Sequence, residues 1–211
     1  MGVTTPNPHA QQAVIEQALQ LGDINPQTIS YVETHGTGTL IGDPIELKAL
    51  SNVFTSTSNQ RQHCAVGSVK TNIGHLLSAA GVASFIKVML ALTHKQIPAT
   101  LHCHKPNPRF SFIDSPFFPM INSSDWIPVA GVLRAGISSF GFGGTNAHAI
   151  VREFDKKNHP NYRCTRNPLP APQFAKRKYW AIDYQVAEDE LNENSKMAHE
   201  QAMKEFFEFI E

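Results

Sequence analysis

Three side chains in this 211-residue chain have types and spacing that could serve one reaction: His35, Lys70 and His75. Two imidazoles at one substrate can divide labour, since each can donate a hydrogen bond to a developing oxyanion or take a proton near neutral pH. A lysine beside them keeps the local potential positive and could orient a histidine through a bridging carboxylate, for which Glu33 and Glu46 stand close in sequence. The residues alone leave a second reading open, in which a histidine is a satisfied core or turn residue.

Thr37 and Thr39 straddle Gly38 directly after His35 and offer two hydroxyls, either to the amides of an elongated ligand or to their own turn. The run from Ser138 to Asn146 is glycine-rich, but it has neither the lysine of a phosphate loop nor the strand-to-helix continuation of a dinucleotide fingerprint. Its glycines, Gly143 among them, bring backbone N–H groups near a ligand, and Phe142 in their midst could wall a pocket. His102-Cys103-His104, with His94 upstream, points poorly at one ion and has no matched second pair, so no metal site is expected. Lys176-Arg177-Lys178 reads as a solvated face rather than a nucleic-acid patch.

Among the elements that must position these residues, Ala10, Val14, Ala18 and Leu21 recur at helical spacing and predict a helix over about 9–21 with that stripe packed on a sheet. Ile29–Glu33 reads as a strand that delivers His35. Asp43-Pro44-Ile45-Glu46 then opens a helix to Phe54, with Asp43 as N-cap and Glu46 closing a capping box. A strand over Cys64–Val69 delivers Lys70 and His75. The helix that follows, Ser78–His94, has small residues at its start and a face of Phe85, Val88, Met89 and Leu92 that should be buried. Residues 97–115 read as a crossing loop with short extended pieces, and Leu133–Ser139 and Ala147–Glu153 as strands joined by the glycine turn. Strands alternating with helices define an α/β class with a mixed sheet.

Composition narrows the function classes. A 41% hydrophobic share fits a globular protein, and zero formal net charge gives no field that favours nucleic acid. Three scattered cysteines argue for a reducing compartment, no apolar run reads as membrane-spanning, and no secretory start is present, so a cytoplasmic location without membrane contact is expected. Three segments are expected: 1–153 as the main domain, 154–187 as a basic, proline-punctuated linker, and 188–211 as an acidic amphipathic helix with Ala198, Ala202, Phe206 and Ile210 in one stripe.

Three long motifs carry a family resemblance. Glu33–Thr39 with Gly42–Glu46, Gly67–His75, and Gly136–His148 resemble, in that order, the β-ketoacyl synthase (ketosynthase) domain of modular polyketide synthases, including the trans-acyltransferase type. The resemblance covers about residues 2–153 and is to the C-terminal half of the domain. It implies half of a thiolase-like layered αβαβα fold, dimeric when complete, that condenses an acyl thioester with a malonyl thioester on acyl carrier protein and releases carbon dioxide. By the same resemblance His35 and His75 are the two active-site histidines and Lys70 the motif lysine that orders the site electrostatically. Thr37 and Thr39 would contact the phosphopantetheine arm of the carrier, with Gly143 and Asn146 beside it. Phe142 would be the gate whose N–H helps form the oxyanion hole. No cofactor is expected to bind tightly.

One departure is large. The family's nucleophilic cysteine lies in the N-terminal half, and Cys64, Cys103 and Cys164 sit in contexts that do not replace it. An acyl-enzyme needs a nucleophile. The chain is therefore expected to need an N-terminal ketosynthase half, in cis or in trans, and to be inactive alone; the alternative is a catalytically silent docking or scaffold module. Leu169–Trp180 resembles the segment that wraps back over a ketosynthase, here unusually close to the core.

Overall fold

In the computed structural model, which describes residues 6–56, 58–155, 157, 159–163, 170, 173–175 and 201, the chain enters through a capped helix, α1 (Pro8–Gly22). The Asn7 side chain accepts from the N–H groups of His9 and Ala10, and Pro8 occupies a position whose missing N–H costs nothing. The buried residues are Gln11, Ile15 and Leu19, one position away from the predicted stripe. Ala10, Val14 and Ala18 only flank the contact, and Leu21 is 82% exposed.

A five-stranded sheet in the order β4-β2-β1-β6-β7 forms the centre. Its strands are β1 (Tyr31–Glu33), β2 (Cys64–Gly67), β4 (Phe117–Pro119), β6 (Arg134–Phe140) and β7 (Asn146–Arg152). The first four run parallel, and β7 closes back antiparallel on β6. A separate antiparallel pair, β3 (Gln96–Ile97) with β5 (Ser124–Asp125), flanks the crossing segment. The strand at 117–119 has no counterpart in the sequence reading, because Pro116 and Pro119 bracket it and only three residues carry the pattern. It is an edge strand, where proline is tolerated.

Side chains alternate faces along each strand, so Val32 points away from Tyr31 and Glu33. Val32, Cys64, Val66 and Phe117 meet Ile15 and Leu19 of α1 and Leu47, Leu50, Val53 and Phe54 of α2 (Gly42–Thr55) in the main core. Tyr31 and Glu33 face the other side, where α4 (Ala80–His94) lies against them through Lys87. The result is three layers, helices–sheet–helix, in the mixed α/β class predicted and in keeping with a thiolase-like fold.

Helix α4 departs from expectation in its exposure. Ala80, Ser84, Lys87, Val88, Ala91 and Leu92 are buried, while Val82, Phe85 and Ile86 are 62%, 45% and 52% exposed. Of the four residues predicted for its buried face, only Val88 and Leu92 are covered; Phe85 and Met89 are not. The small residues do permit close approach: a Cβ at Gly81 would stand 2.9 Å from Ser139 Oγ of β6. Leu77–His94 is also long and apolar enough, by length and composition, to cross a membrane, which corrects the reading that no run approaches that length. Lys87 interrupts the run in sequence and pairs with the Glu33 carboxylate in the fold.

Contacts divide the chain into Met1–Glu153 and Phe154–Glu211. In the second unit Phe154 stacks on His159 and meets Tyr162 at 4.8 Å. The predicted 188–211 helix, apart from Gln201, and the wrap-around motif at 169–180, apart from Pro170 and residues 173–175, lie outside the described residues.

Candidate active site at the carboxyl ends of the parallel strands

The loop after β1 runs to α2 on one face of the sheet, and the loop after the neighbouring β2 runs to α4 on the other. Adjacent strands whose connections leave in opposite directions open a crevice at their carboxyl ends, the usual ligand site of parallel sheets. His35 follows β1 by two residues. Lys70 begins a single helical turn, α3 (Lys70–Ile73), just after β2, and His75 follows it past Gly74, whose φ is +78°. The sequence pattern predicts a plain turn here; α3 is too short for periodicity to reveal.

The two histidine rings meet edge to face with centroids 5.5 Å apart. Leu77 N–H donates to His75 Nδ1 at 3.0 Å, which leaves the proton of the neutral ring on Nε2, as a donor. His35 is half-buried, and burial, then Lys70, then His75 lower its pKa from 6.5 to about 4, so its imidazole is neutral at pH 7. His35 Nδ1 and Lys70 Nζ are both buried with no hydrogen-bond partner among the described residues. Burial pulls the Lys70 ammonium below its ordinary value against the pull of the Glu33, Glu46 and Asp43 carboxylates.

Glu33 and Glu46 both hold this site, though neither bridges lysine to histidine. Glu46 does not close a capping box; it turns back from α2 and accepts the N–H groups of His35 at 2.7 Å and Gly36 at 3.0 Å. Asp43 likewise accepts from Gly38 N–H at 3.1 Å, and the helix starts at Gly42 with Ile41 as a cap that has no side-chain bond. The physical reason is local: the glycine loop turns sharply and leaves its own N–H groups unpaired, and two carboxylates of α2 satisfy them. Burial outweighs those hydrogen bonds and raises the Glu46 pKa from 4.5 to about 7. Gly36 is required here, with φ +45° and a virtual Cβ only 2.7 Å from Thr34 Oγ1 and 2.8 Å from Ser68 Cβ.

The remaining predicted residues surround this centre. Thr37 and Thr39 are exposed with hydroxyls 3.5 Å apart, and Thr39 Oγ1 accepts from Gly42 N–H at 2.9 Å, so Thr39 serves the turn. Phe142 is 79% exposed on the β6–β7 turn, where Gly143 and Gly144 have φ of +85° and +92°. Asn146 opens β7 opposite Phe140. Phe140, absent from the residues that the sequence pattern singles out, packs on His35 with ring centroids 5.7 Å apart. Its position as the last residue of a strand entering the glycine turn is the available signal.

The cysteines do not supply a nucleophile among the described residues. Cys64 is fully buried in β2 and burial holds its thiol well above the usual range. Burial and the Asp43 carboxylate also raise Cys103. A nucleophilic cysteine needs the opposite shift. Cys164 lies outside the described residues. Among the described residues, no group of three or more His, Cys, Asp and Glu side chains gathers as a metal site.

Residues 1–104 match the family described as "Beta-ketoacyl synthase, C-terminal domain", and residues 106–206 match "Ketoacyl-synthetase C-terminal extension". The chain belongs to the β-ketoacyl synthase family and corresponds to the C-terminal part of a polyketide synthase ketosynthase domain. It is 47% identical over 154 residues to polyketide synthase PksN of Bacillus subtilis, covering 73% of this chain and 3% of that protein. It is 48% identical over 153 residues to a phenolphthiocerol/phthiocerol polyketide synthase of Mycobacterium tuberculosis, covering 72% of this chain and 8% of the relative. Among solved structures, ketosynthase twelve of the bacillaene polyketide synthase of Bacillus amyloliquefaciens aligns with a TM-score of 0.71 at 44% identity, over 74% of this chain and 28% of that one. The oxazolomycin ketosynthase domain OzmH KS8 of Streptomyces albus aligns at 0.70 and 37% identity, over 84% and 45%. The chain thus spans less than half of each of these two ketosynthase structures and under a tenth of the two curated relatives.

Proposed function

We propose that this chain supplies the histidine-bearing half of a ketosynthase active site, for decarboxylative condensation of acyl and malonyl thioesters in polyketide chain extension. The observation that carries the reading is the meeting of His35 and His75, forty residues apart in sequence, at 5.5 Å, with the charge of a buried Lys70, without a hydrogen-bond partner among the described residues, acting on His35. The nucleophilic cysteine comes from an N-terminal half. Its thiolate takes the acyl group from an incoming thioester; a malonyl thioester on acyl carrier protein then loses carbon dioxide to give an enolate. The enolate carbon attacks the acyl-cysteine carbonyl, the tetrahedral oxyanion collapses, and the cysteine thiolate leaves with formation of the β-ketoacyl thioester. His75, through its Nε2–H, and neutral His35 hold the thioester oxygen as charge develops on it, and Lys70 keeps the potential positive. Thr37 and Thr39 meet the phosphopantetheine arm at the mouth, with Phe142 as the gate beside Gly143 and Asn146.

The N-terminal half as partner has support in α4. Val82, Phe85, Ile86 and Met89 present an uncovered apolar face that continues through Leu77 and Leu76 to His75. A helix apolar on both sides calls for cover on both. A body that covered this face would also be placed to present its nucleophile to the histidines. Mixing the chain with an N-terminal ketosynthase half and assaying acyl loading and condensation tests the proposal: a complex with turnover is expected, and neither complex nor turnover would overturn it.

A further inference from the structure

Behind the crevice lies a buried ion pair that the reaction above does not use. Lys87 Nζ donates to Glu33 Oε2 at 2.8 Å and to the Tyr31 hydroxyl at 2.9 Å, and Tyr31 donates to the same Glu33 oxygen at 2.6 Å. The other carboxylate oxygen, Oε1, accepts the N–H of Val69 at 2.6 Å. The pair is nearly out of solvent, Glu33 at 0% and Lys87 at 4% exposure. Thr34, next to Glu33, adds two bonds to Gly67 O, from its N–H at 2.8 Å and its hydroxyl at 3.0 Å. Gly67 must be glycine, since a Cβ there would lie 2.8 Å from the Tyr31 hydroxyl.

Three chain segments meet in this cluster: the end of β1 two residues before His35, the loop from β2 one residue before Lys70, and the helix that follows His75. Glu33 is also the strongest carboxylate influence on Lys70, ahead of Glu46 and Asp43 of α2, while Lys87 of α4 opposes it. Yet Lys70 Nζ has no hydrogen-bond partner among the described residues, while Glu33 Oε2 accepts from Lys87 and Tyr31 and Oε1 from Val69.

We propose that Lys87 is a positioning residue which, by engaging Glu33 from α4, keeps that carboxylate off Lys70 and leaves the Lys70 ammonium available to the crevice. Glu33 acts through its two arms, one fixing the β1–β2 spacing through Val69 and the other held by Lys87 and Tyr31. The inference rests on the ketosynthase reading for its role in condensation, but the charge placement is a property of this chain alone.

The test reads the titration of Lys70 in the 211-residue chain, by NMR of 13Cε-labelled lysine with the resonance assigned through K70R. In K87M, Glu33 keeps its bonds from Tyr31 and Val69 but loses its cationic partner and turns to Lys70, so the Lys70 titration moves up in pH. In E33Q it moves down, because the main attractive charge is gone. In E33Q/K87M no carboxylate is left to turn, so loss of Lys87 moves the Lys70 titration up by less than it does in the presence of Glu33, through the loss of the Lys87 charge alone. A merely structural pair would lower the melting temperature and give the same upward shift on loss of Lys87 with or without Glu33. Should K87M fail to fold, K87Q removes the same charge while keeping a polar side chain and makes the same comparison in the presence of Glu33. An unmoved Lys70, or an upward shift on loss of Lys87 that is equal with and without Glu33, overturns the proposal. Joined to the N-terminal half, K87M should lose at least about tenfold in condensation rate and the double variant should recover most of it. The predicted Lys70 shifts without any condensation by the wild-type complex would uphold the positioning role and overturn the ketosynthase reading.

Discussion

At the scale of single residues, carboxylates govern the site as much as its histidines do. Glu46 is the clearest case, because its side chain holds the two N–H groups that set the direction of His35. Its pKa is raised from 4.5 to about 7, so between those values the folded chain keeps a proton that the unfolded chain has released. The stability it contributes is therefore full below about pH 4.5 and is lost as pH rises toward 7. E46Q removes this dependence, and the stability gap between wild type and variant, measured by urea unfolding, should shrink across that window; a widening gap would contradict the assignment. Gly36 gives a second test. Forcing a Cβ into its left-handed backbone against Thr34 and Ser68 should cost about 2 kcal/mol or more in the same assay.

Element by element, α4 carries the sharpest expectation. A charge on its uncovered side, in F85D or I86D, should leave the unfolding free energy of the chain within about 0.5 kcal/mol of wild type and abolish association with the N-terminal half in analytical ultracentrifugation. V88D on the covered side, where Val88 is fully buried, should unfold the chain. Equal effects on both sides would mean that the two faces are not distinct. Most elements are legible in the sequence because apolar runs and glycine breaks are strong signals: α1, α2, α4, β1, β2, β6 and β7 all lie near their predicted positions. What escapes is short or set by tertiary contact. The single turn α3 and the three-residue β4 carry too little pattern, and the buried side of α4 is chosen by Lys87 finding Glu33, a partner 54 positions away. The Asp43–Glu46 pattern looks like a capping box because those residue types also cap; only the fold reveals that the preceding loop has the greater need.

For the molecule as a whole, the motifs place His35 after one strand and Lys70 and His75 after another, and the parallel pairing of those two strands accounts for the meeting of the histidines. Phe140 is not legible as a site residue, since nothing local distinguishes an aromatic that ends a strand from one that fills a core. The central claim, that this chain brings the histidines of a condensation whose cysteine lies on another half, is tested most directly by carbon dioxide release from a malonyl thioester on acyl carrier protein. The measurement is made on the complex of this chain with an acylated N-terminal half, comparing wild type with H35A and H75A. Release and chain extension are expected of the wild-type complex, with each histidine variant slowed by about a hundredfold or more. Formation of the acylated complex with both variants extending at the wild-type rate would contradict the central claim.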